Sequence, residues 1–245
     1  MSVEKNNKRP RYALIDLLRG IAIAMMFTYH FAWDLNNFNY LKLDFYHSPF
    51  WLHYRSVIVS LFLLVMGISL YLAHHRKIIR DRFLKRLYWL IGCSLIITIS
   101  TYLYTGERFI YFGILHFITL ASILGLLFVR FYWLNLVFGL VIIILGNSLQ
   151  YSLFNPKTLN WIGFVSSKPQ TDDYVPLFPW FGVVLLGIFI ARWAYQEHQF
   201  SFLISWKGKS PVSRLLQFGG RHSLIIYMLH QPVFIGILTV MASLS

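Results

Sequence analysis

The stretch Arg11–Asp34, RYALIDLLRGIAIAMMFTYHFAWD, constrains this chain more than any other. As a helix it is long and apolar enough to cross a bilayer, which takes about 20 predominantly apolar residues. It nevertheless carries Asp16, Arg19, His30 and Asp34. An ionisable group at membrane depth costs at least a few kcal/mol unless it is paired or wetted, so these four residues are functional candidates. The eleven steps from Arg19 to His30 place the two within about 20° of each other and about 16 Å apart along the axis. Asp16 precedes Arg19 by three residues and Asp34 follows His30 by four, spacings at which side chains meet on a helix surface. One polar stripe is expected, with an ion pair toward one membrane face and a carboxylate-tethered imidazole toward the other.

The rest of the chain agrees. Of 245 residues, 57% are hydrophobic and 13% charged, with a mean hydropathy of +0.58. That excludes a soluble domain and predicts an all-α polytopic membrane bundle. A net charge of +13 would suggest nucleic acid in a soluble protein. Here Lys and Arg fall between apolar runs, where they set topology and attract anionic lipids or anionic cofactors, and nucleic acid is not an expected partner. The single cysteine, Cys93, lies inside an apolar run, so neither an intrachain disulfide nor a thiolate metal cluster is expected.

Apolar spans fall near 13–33, 56–73, 87–104, 110–129, 132–149, 177–195 and 219–242. They predict about seven transmembrane helices in a single domain over 1–245, after a frayed stretch at 1–10. The first span follows Lys5, Lys8, Arg9 and Arg11 as a signal peptide would, but its length, its internal charges and the lack of a small-residue cleavage pattern predict a permanent helix. With the N-terminus in the cytoplasm, sixteen Lys/Arg face inward and five outward; the asymmetry predicts N-inside and C-outside. Among the outward segments, 172–182 (DDYVPLFPWFG) places two prolines at the entry to the sixth helix and Trp180 at the interface. Within 150–170, the patch TLNWIGFV is too short to span and reads as re-entrant or interfacial.

His30 is the leading candidate for chemistry. A neutral imidazole at this depth can act as general base, with Asp34 accepting a hydrogen bond from its other nitrogen and selecting the tautomer. Arg19 cannot be neutralised, so it needs Asp16, a carbonyl cage or an anionic ligand. His116 and His230 are further intramembrane imidazoles. His222 sits nearer the cytoplasmic end, about 80° around the helix from His230. Tyr227 lies one turn from His230, and Gln231–Pro232 loosens the helix and frees a carbonyl. Taken singly, each of these reads most simply as an interhelical hydrogen bond; three helices with inward imidazoles together predict a polar cavity. His47, His53, His74, His75 and His198 read as solvated, and Ser60, Gly67 and Ser69 as packing positions. The basic run HHRKIIRDRFLKR reads as a topology determinant that also steers a phosphate-bearing cofactor.

The first helix, IDLLRGIAIAMMFTYHFAWDL, resembles the opening helix of the heparan-alpha-glucosaminide N-acetyltransferase catalytic-domain family. Its Arg–ten residues–His spacing is similar to that of the wider transmembrane acyltransferases. PLFPWFGVVLLG and GRHSLIIYMLHQP are similar to later segments of small bacterial members. The resemblance implies an integral protein of the bacterial cytoplasmic (inner) membrane. It would move an acyl group, with acetyl the expected one, from cytoplasmic acetyl-CoA to an amino or hydroxyl group of a glycan or similar acceptor at the outer face. His30 corresponds to the family's catalytic histidine and Arg19 to the arginine before it. The stripe suits this: CoA phosphates would meet the basic inner face and the pantetheine arm would pass Arg19. His30 and Asp34 are then the catalytic candidates, and Arg19, Asp16, His116, His222, Tyr227, His230 and Gln231 the donor-binding ones, with no metal. Expected partners are acyl-CoA, an amino-sugar or glycan acceptor and membrane lipids, with homo-oligomerisation allowed.

Two rivals use the same residues. A proton-coupled transporter would use the His/Asp/Arg stripe as a relay, although no inverted internal repeat is evident. A haem-carrying electron-transfer protein would use two of His30, His116 and His230 as axial ligands. A heptahelical receptor is disfavoured by the inverted orientation and by the lack of a lysine in the last helix.

Overall fold

The structure, a computed structural model, describes residues 12–75, 79–197 and 206–244. The N-terminal basic residues, the stretch 76–78 of the basic run and His198 lie outside them. Among the described residues there is no strand, and the helices are α1 (Ala13–Asn37), α2 (Pro49–His74), α3 (Arg80–Thr105), α4 (Ile114–Phe128), α5 (Trp133–Ser148), α6 (Leu177–Arg192), α7 (Pro211–Arg221) and α8 (Ser223–Leu244). Five stretches are long and apolar enough to cross a membrane: α1, α2, α3 with its extension to Arg108, α6 with its extension to Gln196, and α8. The apolar helices α4 and α5 are shorter, at 15 and 16 residues, or about 22–24 Å against a hydrocarbon core of about 30 Å.

The helices α2 and α3 begin about seven residues before the apolar windows, because polar residues continue a helix wherever water can satisfy them. The predicted last span differs more: it divides at His222. Ser210 caps α7 through a bond from Ser213 N–H (3.1 Å), with Pro211 at the first helical position, the combination that starts helices well. The amide of His222 closes α7 on the carbonyls of Phe218 and Gly219. The TLNWIGFV patch is not a helix. It makes a 3-10 turn at Asn160–Ile162, with Asn160 buried between the Tyr111 and Tyr174 hydroxyls, and it folds against the entry of α6 at Phe178. There Pro179 leaves Phe178 extended (φ −97°, ψ 131°), as the residue before a proline prefers.

The main apolar core lies between α2, α4 and α6, around Leu63, Tyr71, Phe117, Leu185 and Ile188. Gly67 of α2 faces Val184 and Gly187 of α6 at backbone contact, one of the packing roles read from sequence. Across the bundle, α1 runs parallel to α8, with Phe27 stacked on His230 and Phe31 against Phe234. It also grips α7: a Cβ on Gly20 would lie 1.9 Å from the Leu216 carbonyl, and one on Gly220 1.9 Å from the Asp16 carbonyl. His74 and His75, expected in solvent, are partly buried instead. The ring of His75 stacks on Tyr71 (5.0 Å) and meets Tyr195 edge-on, because α2 extends one turn along the end of α6.

Gly220→Ala should cost at least about 1–3 kcal/mol through overpacking. Gly219→Ala, next in line but with open space around its Cβ, should be neutral or stabilising by up to about 1 kcal/mol. Thermal midpoints in nanodiscs check the pair; equal effects would remove the α1–α7 contact from the account.

Candidate functional site

Arg19 is held from three elements. Its guanidinium pairs with Asp16 (3.5 Å), donates to Ser69 Oγ of α2 (2.8 Å) and to the Gly220 carbonyl of α7 (3.3 Å). Asp16 also takes Arg221 Nε at 3.2 Å, so one carboxylate serves two arginines. The predicted i,i+3 pair is present. Ser69, read as a packing residue, is in fact a ligand of the guanidinium.

Beyond this cluster lies a cavity of about 600 Å³, bordered by Arg19, Met66, the α3 residues Arg82, Arg86 and Trp89, and Ser223 and Tyr227 of α8. That volume is in the range of ligand sites, about 300–1,000 Å³. Arg82, Lys85 and Arg86 all border it, and none of them makes an ion pair within the described residues. Tyr227 closes the far end, packed among all three apolar clusters. Its hydroxyl donates a long 3.5 Å bond to Asp173 Oδ2, which also accepts the Ile114 N–H at 2.8 Å. Asp173 thus caps α4, where the helix dipole favours a negative group. Burial pushes its carboxyl above the ordinary range, with the Ile114 amide, Arg55, Tyr227 and Lys168 pulling the other way.

One turn past Tyr227 stand His30 and His230, with ring centroids 4.9 Å apart. His230 Nδ1 lies 2.6 Å from the Tyr227 carbonyl. A carbonyl only accepts, so Nδ1 carries the proton and Nε2 keeps its lone pair. The amide nitrogen of Gln231 lies 3.4 Å from His30 Nδ1 and also interacts with Asp34. The expected Asp34–His30 tether is therefore corrected: no bond links them, and His30 Nδ1 meets the Gln231 amide of α8 instead. That amide nitrogen only donates, so His30 Nδ1 accepts and Nε2 bears the proton. Three buried atoms here have no partner: Asp34 Oδ2, His230 Nε2 and Gln231 Oε1. All three are hydrogen-bond acceptors.

Arg19 and Tyr227 thus border the cavity, with Asp16 paired to Arg19, and His30, Asp34, His230 and Gln231 lie beyond it. His116 and His222 join neither group. His116 Nδ1 accepts the Gly113 N–H (3.3 Å), so Nε2 donates to Thr98 Oγ (3.0 Å), whose hydroxyl passes on to the Ile110 carbonyl. His222 is exposed and bonds the Phe218 carbonyl within its own turn. The contact between His30 and His230 is direct, so this pair cannot clasp a porphyrin between its rings. Among the described residues no group of three or more His, Cys, Asp or Glu is placed to hold a metal.

Over residues 11–232 the sequence matches the family described as heparan-alpha-glucosaminide N-acetyltransferase, catalytic. The chain belongs to this family. No curated protein and no solved structure gives a significant match. As a heparan-alpha-glucosaminide N-acetyltransferase catalytic-domain protein, the chain is an integral-membrane acetyltransferase in general class. The matched region runs from the start of α1 to Pro232 and so takes in both halves of the site. Asp173 is the site residue that sequence reasoning missed; a lone Asp–Asp pair in a loop carries no signal of a helix start 59 residues away.

Because the folded state raises the pKa of Asp173, the acid's contribution is full below the ordinary carboxylate range, about 4, and is lost as pH rises through the raised value. Asp173→Asn cannot ionise and should flatten the fall in thermal midpoint between that range and neutrality. Parallel curves for the two proteins would show that Asp173 does not titrate with folding. His116→Ala should cost about 1–2 kcal/mol while acetyl-CoA still raises the midpoint; loss of that shift would return His116 to the donor site.

Proposed function

We propose that this protein moves an acetyl group from acetyl-CoA, bound at the basic end, to an amine presented at the opposite end. The supporting observation is the division of the polar groups about Tyr227: unpaired cations around a cavity on one side, unpartnered acceptor atoms around two imidazoles on the other. Arg82, Lys85 and Arg86 suit phosphates by charge, and the cavity passes Arg19 toward Tyr227. Beyond it, Asp34 Oδ2, Gln231 Oε1 and His230 Nε2 offer three acceptors, which match the N–H donors of a primary amine better than the single donor of a hydroxyl. The acceptor class is accordingly an amino sugar or a related amine-bearing glycan.

Chemically, the amine nitrogen attacks the thioester carbonyl, the carbon–sulfur bond breaks and the thiolate leaves with CoA. The free lone pair is His230 Nε2, so it takes the amine proton, while His30 presents N–H toward the developing oxyanion. The base role that the sequence assigns to His30 then passes to His230, and His30 acts as the hydrogen-bond donor beside it. A transfer across the bilayer follows if the seven apolar helices α1–α6 and α8 all span, with the shorter α4 and α5 crossing a locally thinned region. The positive-inside count then puts Arg19 toward the cytoplasm and His30 toward the outside.

In proteoliposomes supplied with acetyl-CoA and glucosamine, His30→Ala and His230→Ala should each lower turnover by about 10²–10⁴-fold, and the double variant little further. Undiminished turnover in His30→Ala would remove it from the chemistry. Replacing Arg82 and Arg86 together by Gln should raise the KM for acetyl-CoA, with a weaker salt dependence than wild type and little change in kcat.

A further inference from the structure

We propose that α7 lies in the headgroup layer of the membrane and that its face away from α1 is a docking surface for anionic phospholipid. At 11 residues, or about 16 Å, it is too short to cross a hydrocarbon core of about 30 Å. Its backbone meets α1 at Asp16 and Gly20, in about the first two turns of a helix long and apolar enough to span. The contact therefore sits near the edge of the membrane. Ser213, Gln217 and Gly220 are buried, with Gly220 directly against α1. On the other side Val212, Leu215 and Phe218 are 67, 70 and 58% exposed. Their three-residue spacing gathers them into an arc of about 120°, nearly opposite the buried face.

Cations edge that apolar arc. Arg214 and Arg221 are exposed and project within about 60° of Phe218 around the helix. Lys207 and Lys209, also exposed, are brought alongside by Gln217, whose side-chain amide donates to the Gly208 carbonyl (3.1 Å) and to Ser213 Oγ (3.0 Å). Residues 206–222 hold these four Lys/Arg and no acid. Arg221 pairs with Asp16, whereas Lys207, Lys209 and Arg214 have no carboxylate at ion-pair distance among the described residues. A short helix with an apolar stripe and an uncompensated basic edge is complementary to acyl chains beneath anionic headgroups. The long basic side chains reach the headgroups while the stripe enters the acyl boundary. The docking also bears on the cavity. The same helix gives Arg19 the Gly220 carbonyl and Asp16 its second arginine, so lipid on the outer face holds the inner face against the Arg19 cluster.

The test uses the full chain, one copy per phosphatidylcholine nanodisc, with Cys93→Ala and a bimane fluorophore on Leu215→Cys. Doxyl-labelled phosphatidylcholine or phosphatidylglycerol is added at equal mole fraction. Both should quench the label, the anionic lipid at least about threefold more strongly. A label on Leu103→Cys, at a position 78% exposed near the other end of α3, should be quenched equally by the two. The combined variant Lys207→Gln, Lys209→Gln and Arg214→Gln should bring the ratio at 215 toward one. Salt at about 1 M should do the same without these substitutions. No quenching at 215 by either lipid would overturn the docking. Equal quenching by both, or an equal preference at 103, would overturn the anionic partner. Quenching that disappears when two copies share a nanodisc would assign the face to a second copy instead. Phosphatidylglycerol should also raise the thermal midpoint of wild type, and the triple Gln variant should lose most of that rise; a rise that survives intact would disconnect the lipid from the Arg19 cluster.

Discussion

A guanidinium does not lose its proton at any pH the protein meets, so the position of Arg19 dictates what must surround it. The chain satisfies it by bringing α1 and α7 to backbone contact. With hydrogen at Gly20 and Gly220, the two helices approach until the Gly220 carbonyl reaches Arg19 and Arg221 shares the Asp16 carboxylate. The charge is then partly neutralised, but it still borders the cavity beside Arg82 and Arg86. A side chain at either glycine would separate the helices and remove the Gly220 carbonyl and Arg221 from this cluster together.

The second constraint is Tyr227, which divides the polar interior into two. Below it the cations are in excess; above it the free groups are acceptors. Its hydroxyl is held only by a long bond to Asp173, while its backbone carbonyl fixes the tautomer of His230. One residue therefore borders the cavity with its ring and orients the imidazole with its main chain. A thioester reaching from one compartment to the other has to pass this ring, and the weak hydroxyl bond is the contact most easily exchanged.

Much of this was legible in the sequence. The spacing of Asp16, Arg19 and His30 on an apolar helix gave the polar stripe, and the imidazole on the last helix gave its partner. The departures share a cause: they depend on another element competing for the same group. Asp34 lies at the correct distance along α1 to hold His30, but Gln231 arrives from α8 and meets His30 instead. Ser69 looks like a small packing residue until Arg19 leans on it, and Asp173 looks like loop polarity until α4 begins against it. His116 has the composition of a ligand and spends both nitrogens on local backbone and Thr98. The division of the last span at His222 was hidden because Gly219 and Gly220 continue an apolar window although the second of them serves a contact.

The most direct test of the central claim is a cryo-electron microscopy structure with a non-transferable acetyl-CoA analogue bound. The account predicts phosphates against Arg82 and Arg86, the pantetheine arm passing Arg19, a displaced Tyr227 ring, and the acyl carbonyl beside His30 and His230. An analogue whose acyl end stops on the Arg19 side of an unmoved Tyr227, or which binds outside this cavity, would contradict it.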